Sequence, residues 1–492
     1  MVVAAVGLNL ARGSLVALFA VALAVGGCHH DPGAGSPGGS GGAQTAGSAG
    51  AGHGGGAAGA AGGAAAGATG TGGSGGSLSA STGGAGASGT GGVGGSPPGS
   101  AGAGGSGGHG GSVSAGGSAG GGAGGGPAQM PCAAKALAVG GSHACALTVA
   151  GGVRCWGSNG NGQLGDGTRT NRTEPPLFDV LTGVQAIAVG NDHTCAVTVT
   201  GGVRCWGANS NGQLGDGTKT ERWSPPTTDV LTGVKAIAAG DRYTCALTTA
   251  GGVRCWGFNL NGQLGVGTDG VGADLSSPPA TDAIADIQAI SAGGATTCAL
   301  TNAGGARCWG SGTFGSVGLG TGGPQQTTPP ASDVLTDVTF IASGNGQVCA
   351  VMKTGGLRCW GENDYGQVGD GTTTDRYVPS DDILSNVRAV AGGSGHTCAL
   401  TSTGGVRCWG DPDLLGDGNA SSEGEVLSPP ATDVLTGITA IASGNRTSQT
   451  CALTAAGGVR CWGQIDYANS GTVTVFVDRP TPEYPELMGT CP

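Results

Sequence analysis

The sequence predicts an all-β fold, a seven-bladed β-propeller preceded by a signal peptide and a glycine-rich tether, and three observations carry that prediction. The string Cys-Trp-Gly recurs seven times, with its tryptophans at 156, 206, 256, 309, 360, 409 and 462. The spacings of 50, 50, 53, 51, 49 and 53 residues leave room for several strands in each unit. Within a unit, apolar residues alternate with period two, as at Val184, Ala186 and Ala188 and again at Cys195, Val197 and Val199. No stretch carries a helical period. A Gly-Gly turn such as Gly201-Gly202 joins two of these runs into a hairpin. Four short strands per unit, repeated seven times, close into a ring.

Before the repeats, Arg12 is followed by an apolar run, Ser14 to Val25, and then by Gly26-Gly27-Cys28. Charge, apolar core and small residues in that order describe a secretory signal, and the run is short for a membrane span. Its Val-Gly-Gly-Cys ending resembles a bacterial lipobox, which implies cleavage before Cys28 and lipidation of its sulfur. His29 follows rather than an aspartate, which points to the outer membrane, with the domain periplasmic or surface-exposed. From His29 to Pro127 the chain has 45 glycines in 99 residues, one charged residue (Asp31) and no Phe, Tyr or Trp. Such a segment buries too little apolar surface to offset chain entropy and reads as a flexible tether spanning roughly 55 Å. The expected organisation is a lipoprotein signal peptide at 1–27, lipidated cysteine and tether at 28–127, and propeller at 128–492.

The propeller segment holds all eight tryptophans, 30 acids and 19 bases. That acidic balance argues against a sequence-independent grip on nucleic acid. The glycines keep no strict Gly-X-Y period, which excludes collagen, and no apolar run of about 20 residues follows the first 30, which excludes a polytopic membrane protein. A monomer touching the membrane only through its lipid is expected.

The unit G-x-x-H-x-x-A-L-x-x-x-G-x-V-x-x-W-G-x-N-x-x-G-Q-L-G-x-G, clearest in the first three copies, resembles the repeat of the RCC1 (regulator of chromosome condensation) family. The resemblance runs from Ala136 to about Asp466 and implies a seven-bladed propeller. Copy four departs, with Phe314-Gly-Ser-Val-Gly-Leu-Gly in place of Gly-Gln-Leu-Gly, and copy seven reads Gln464-Ile-Asp-Tyr-Ala-Asn. The family's founding member is a nucleotide-exchange factor for a nuclear GTPase. That activity is not expected here, because the chain is acidic, carries an export signal and has no long insertion in any blade.

Fourteen of the seventeen cysteines form pairs ten residues apart: Cys145/Cys155, Cys195/Cys205, Cys245/Cys255, Cys298/Cys308, Cys349/Cys359, Cys398/Cys408 and Cys451/Cys461. Each pair flanks the glycine turn, so its members face each other across a hairpin, at a separation near that of a disulfide. An exported chain meets an oxidising compartment, where such bonds persist, and the absence of any C-x-x-C argues against zinc. With Cys28 lipidated, Cys132 and Cys491 remain, and ring closure predicts a bond between them at the seam.

Arginine precedes every second cysteine, at 154, 204, 254, 307, 358, 407 and 460, and an acid recurs later in each unit: Asp179, Asp229, Asp282, Asp333, Asp382, Asp433 and Glu486. These are bridges within or between blades, or two independent solvated sets. His143, His193 and His396 share a position filled elsewhere by Tyr243, Thr296, Gln347 and Gln449, which suits a packed strand end better than a metal ring. Gly160-Asn-Gly162-Gln-Leu-Gly165 matches G-x-G-x-x-G, but a turn follows it where a dinucleotide site needs a helix. The Asp-Gly-Thr turns leave calcium open, although their spacing is not that of an EF-hand.

No catalytic constellation, metal site or cofactor site can be assembled. Copy-specific residues single out a partner-binding face: Arg172, Arg222 with Trp223, and Arg376 with Tyr377. The expected function is a lipid-anchored, extracytoplasmic, non-enzymatic module that binds protein or glycan. The alternatives are an inhibitor of a secreted or envelope hydrolase, a surface polysaccharide-active enzyme and a structural spacer.

Overall fold

The structure is a computed structural model that describes residues 133–320, 322–417, 424–444, 446, 449–465 and 475–477. The signal peptide, Cys28, the tether, Cys132, Cys491 and Glu486 lie outside the described residues, so the seam disulfide and the seventh acid are not among the contacts below.

Seven antiparallel sheets follow one another along the chain. Blade 1 comprises β1 (Ala134–Val139), β2 (His143–Thr148) and β3 (Val153–Gly157), and blade 2 comprises β4 (Val184–Val189), β5 (His193–Thr198) and β6 (Val203–Gly207). Blade 3 is β7 (Val234–Ala239), β8 (Tyr243–Thr248) and β9 (Val253–Gly257), and blade 4 is β10 (Ile287–Ala292), β11 (Thr296–Thr301) and β12 (Ala306–Gly310). Blade 5 is β13 (Val338–Ser343), β14 (Gln347–Met352) and β15 (Leu357–Gly361), and blade 6 is β16 (Val387–Gly392), β17 (His396–Thr401) and β18 (Val406–Gly410). Blade 7 is β19 (Ile438–Ser443), β20 (Thr450–Thr454), β21 (Val459–Ile465) and β22 (Val475–Val477).

The first strand of each blade packs against the first strand of the next, and β19 returns to β1, which closes the ring. One hydrogen bond repeats at every joint. Val184 N–H donates to Gly151 O of the preceding blade at 3.0 Å, and Ala134 N–H donates to Gly457 O at the seam at 2.9 Å. The seam is therefore built like the other joints. Core packing crosses it as well, since one buried cluster contains Ala134, Trp156 and Trp462.

The Cys-Trp-Gly tryptophans are 0–1% exposed. Trp206 Nε1–H donates to Gln163 O of the preceding blade at 3.0 Å, and Trp256 and Trp309 repeat the contact on Gln213 O and Gln263 O. This explains the Gly-Gln-Leu-Gly segment. Its leucine is buried (Leu164 is 0% exposed), its glutamine carbonyl receives the next indole, and its last glycine, Gly165, lies too close to Trp206 Nε1 to carry a Cβ. Copy four keeps the bond despite its altered sequence, with Ser316 O accepting Trp360 Nε1–H at 3.0 Å.

The expectation of four strands per blade needs correcting. Blades 1 to 6 have three full strands, and the fourth is reduced to two isolated bridges, such as Gly157–Arg172 and Val153–Leu181 in blade 1. Prolines explain the interruption: Pro175-Pro176 lies between those two bridges, and Pro225-Pro226 occupies the same place in blade 2. A proline has no N–H to give a ladder.

The seven cysteine pairs are disulfide-bonded, each between facing residues of the second and third strands of its blade. The bonds are Cys145–Cys155, Cys195–Cys205, Cys245–Cys255, Cys298–Cys308, Cys349–Cys359, Cys398–Cys408 and Cys451–Cys461, with Cα separations of 4.0–4.1 Å. One point differs from the sequence expectation, which treats these cysteines only as staples across a turn. They are core residues as well. Cys205, Cys308, Cys359 and Cys408, the second members of their pairs, are buried and belong to the apolar clusters between blades. The reason is their register, because neighbours on a strand face opposite ways: Trp206 reaches back to Gln163 of the preceding blade, and Cys205, one residue before it, packs in the cluster shared with blade 3.

The arginine–acid pattern, left open by the sequence, is paired within blades. Arg154 Nε reaches Asp179 Oδ1 at 2.7 Å, and the same bridge forms in blades 2 to 6. It ties the outer residual strand to the hairpin. The Asp179 carboxylate also presses on Gly152, where a Cβ would collide with it. The two turn glycines thus do different work, since Gly151 supplies a φ of +84° and Gly152 supplies space.

Candidate interaction surface

After the third strand of blades 1 to 6, the chain forms a loop on the same side of the ring as the turn between the first two strands, as Ser158 N–H bonding Ser142 O shows (2.8 Å). In blade 1 this loop is organised by Asn159. Its Nδ2 donates to Thr168 O and Thr170 O, and its Oδ1 receives Leu164 N–H. Asp166 accepts from the Thr168 hydroxyl and from Arg172. Burial pushes this carboxyl up, and hydrogen bonds from Thr168, Arg172 and Asn159 outweigh it and hold the group below its ordinary value. Asn209 and Asn363 build the same loop in blades 2 and 5. The Gly160–Gly165 segment is a turn in this network.

The arginines singled out from the sequence are fixed within their own loops. Arg172 pairs with Asp166 at 2.6 Å, Arg222 with Asp216 at 2.6 Å and Arg376 with Asp370 at 3.0 Å. The aromatics that follow two of them lie at blade joints. Trp223 O accepts Gly167 N–H of blade 1, and Tyr377 O accepts Gly320 N–H of blade 4. The five candidates therefore fall at two separate places, Arg172, Arg222 and Trp223 at the rim of blades 1 and 2, and Arg376 and Tyr377 at the joint of blades 4 and 5.

At the first rim the structure adds residues that the sequence reading did not name. Leu177 is 73% exposed and Phe178 51%, beside the 42% of Trp223, which the sequence had already singled out. The Arg172 guanidinium lies 5.4 Å from the Phe178 ring centre, and that of Arg169 lies 5.2 Å from the Trp223 ring centre. Glu221 joins the set, pairing with Arg169 at 3.1 Å and accepting Trp223 Nε1–H at 3.1 Å. A signal was present in the sequence. Where copy one has Leu177-Phe178, copy two has Thr227-Thr228 and copy three Ala280-Thr281.

The shared histidine position is a latch between blades. His143 Nε2 lies 2.7 Å from Thr194 Oγ1 of blade 2, and that hydroxyl donates to Gln163 O, so the imidazole must be the donor. His193 and Thr244 repeat the arrangement at 3.0 Å, and His396 meets Thr450 at 2.7 Å. Tyr243 and Gln347 reach the next blade from the same position. Burial pushes the imidazoles down, to about 3 at His143 and His193 and about 4 at His396. At the mouth of the ring, Asp241 of blade 3 meets Arg446 of blade 7 at 3.4 Å. Burial raises the Asp241 carboxyl to about 6 against the opposing pull of Arg446.

Comparison with known proteins agrees with this architecture. The regulator of chromosome condensation (RCC1) repeat matches residues 134–163, 184–213, 234–263, 287–316, 338–367 and 387–414, and a second description of the repeat matches 150–197, 200–247 and 354–400. The fold is similar to that of yeast RCC1 (Prp20), in a crystal structure bound to Kap60, with a TM-score of 0.53 and 22% identity over 63% of this chain and 78% of that one. Human WBSCR16 gives 0.54 and 23% over 63% and 83%. Prp20p from Saccharomyces cerevisiae, in a study of its binding to Gsp1p and histones, gives 0.53 and 23% over 64% and 82%. A probable E3 ubiquitin-protein ligase of Homo sapiens, HERC4, is 33% identical over 99 residues, 19% of this chain and only 9% of that protein's length.

Proposed function

Because this chain belongs to the RCC1 repeat family, we propose that its propeller is a non-enzymatic binding module that recognises an external protein or glycan at the rim of blades 1 and 2. One observation carries the reading. Leu177 and Phe178 of blade 1 and Trp223 of blade 2 are exposed on neighbouring loops, in a molecule whose arginines are largely spent on pairs within the fold. Aromatic side chains flanked by arginine are the usual anchors of recognition surfaces. The yeast relative, described in complex with Kap60 and in binding to Gsp1p and histones, supports protein recognition by propellers of this shape. The acidic charge of this chain weighs against nucleic acid. Immobilised oxidised chain is expected to capture a saturable partner, with Phe178→Ser and Trp223→Ala each weakening capture roughly tenfold or more. Capture that both variants retain in full would refute the assignment.

The proposal extends to location. Cys28 after its apolar run supports a lipid anchor outside the cytoplasm, in the outer membrane, with residues 28–127 as a spacer. Palmitate is expected to label the parent chain and not Cys28→Ala. Equal labelling of both would remove the anchor.

A further inference from the structure

We infer that the cleft beside Trp223 is a saccharide subsite that takes a neutral hexose or N-acetylhexosamine unit, an inference that rests on the binding-module reading and names its ligand. The cleft holds about 550 Å³ and is lined by Glu221, Arg222, Trp223, Ser224, Thr227 and Thr228 among others. The cleft is shallow and open to solvent, the shape of a surface subsite for one unit of a longer chain.

The indole is the first reason. Seven of the eight tryptophans are 0–1% exposed, and Trp223 alone is 42% exposed. It is also held in place. Glu221 accepts its Nε1–H, the Arg169 guanidinium lies 5.2 Å from its ring centre, and Gly167 N–H bonds its carbonyl. An aromatic plate already fixed by its neighbours loses little entropy on binding, and it offers an apolar face to the C–H side of a pyranose.

The polar lining is the second reason. Three hydroxyls, at Ser224, Thr227 and Thr228, both donate and accept, as sugar hydroxyls do, and the Glu221 carboxylate accepts. The arginines do not make the cleft an anion site, because Arg222 is paired with Asp216 at 2.6 Å and Arg169 with Glu221 at 3.1 Å. A neutral sugar fits this balance better than a uronate or a phosphate.

The backbone gives the third reason. An extended peptide docks by adding hydrogen bonds to a free strand edge. Here Arg222 N–H and C=O are both bonded to Gly207, and Trp223 C=O is bonded to Gly167. Recognition is left to the side chains. The indole is specific to this blade, since Ser276, Thr327 and Leu427 hold the matching position in blades 3, 4 and 6, and Tyr377 of blade 5 is the other aromatic there.

Because Trp223 is the one exposed tryptophan, acrylamide quenching of the oxidised full-length chain reads this site. The probes are hexasaccharides of glucose, galactose, mannose and N-acetylglucosamine, with a hexagalacturonate as the charged arm. At least one neutral probe is expected to protect the exposed fluorescence saturably. Its binding, measured by calorimetry, should fall roughly 30-fold in Trp223→Ala and less in Trp223→Phe, which keeps an aromatic plate and guards against misfolding. Protection by none of the neutral probes, protection by hexagalacturonate alone, or affinity unchanged in Trp223→Ala would each overturn the inference. If the sugars fail while a protein partner is still captured in a Trp223-dependent way, the saccharide assignment falls and the binding-module reading stands. If that capture fails too, both fall.

Discussion

A histidine that joins two blades through Nε2 while its Nδ1 is buried without a partner must stay neutral, as at His143, His193 and His396. The consequence for stability has a definite sign. The unfolded imidazole titrates near 6.5 and the folded ones near 3 to 4, so the fold is unaffected above about 6.5. As the pH falls below that, the unfolded chain takes up protons that the fold excludes. Each histidine then costs up to about 1.4 kcal/mol per pH unit. Asp241 works in the opposite direction, since a carboxyl raised to about 6 adds stability as the pH falls through that value. The comparison with a variant separates the two. Gln347 and Gln449 occupy the same position in blades 5 and 7, so His143→Gln is a replacement the architecture already uses. Urea unfolding from pH 7 to pH 4 is expected to show the variant gaining on the parent as the pH falls. Parallel curves would mean that the histidine is protonated in the fold.

At the scale of the hairpin, the cysteine pairing could be read from the sequence because a spacing of ten around a glycine turn fixes which residues face each other. The register of Cys145 opposite Cys155 follows from period-two geometry alone. That Cys205, Cys308, Cys359 and Cys408 also fill the space between blades could not be read, since it depends on how the sheets stack. The outer strand was hidden too, because two prolines interrupt a segment whose ends still pair. The arginine–acid bridges were undecided for a related reason. Spacing along the chain does not say how far Arg154 reaches, and the contact with Asp179 depends on where the residual fourth strand lies. Trp223 and Tyr377 were visible as exceptions among the copies, but their place at blade joints, with Arg169 and Glu221 around the first, came only from the assembled ring. The disulfides give a prediction at this scale. Every bonded cysteine except Cys461 is buried, so the folded chain is expected to resist reduction by dithiothreitol until denaturant is added. Replacing both Cys245 and Cys255 with serine should lower stability by about 2–3 kcal/mol in urea, by the entropy of an eleven-residue loop. No loss of stability would mean that the hairpin is equally restricted in the unfolded chain.

For the whole molecule, the seven-part ring follows from the repeat, and its closure follows from the use of one joint everywhere, including Ala134 on Gly457. What distinguishes one blade from another lies on the loops, where the repeat is free to vary. Recognition is therefore proposed at one part of a nearly uniform ring. Hydrogen–deuterium exchange of the oxidised full-length chain, with and without its captured partner or sugar, tests that claim most directly. New protection is expected only at residues 160–178 and 217–228, with the hairpins of blades 3 to 7 unchanged. Protection that spares those two loops and appears at the joint of blades 4 and 5, or around the ring mouth at Asp241, would contradict it.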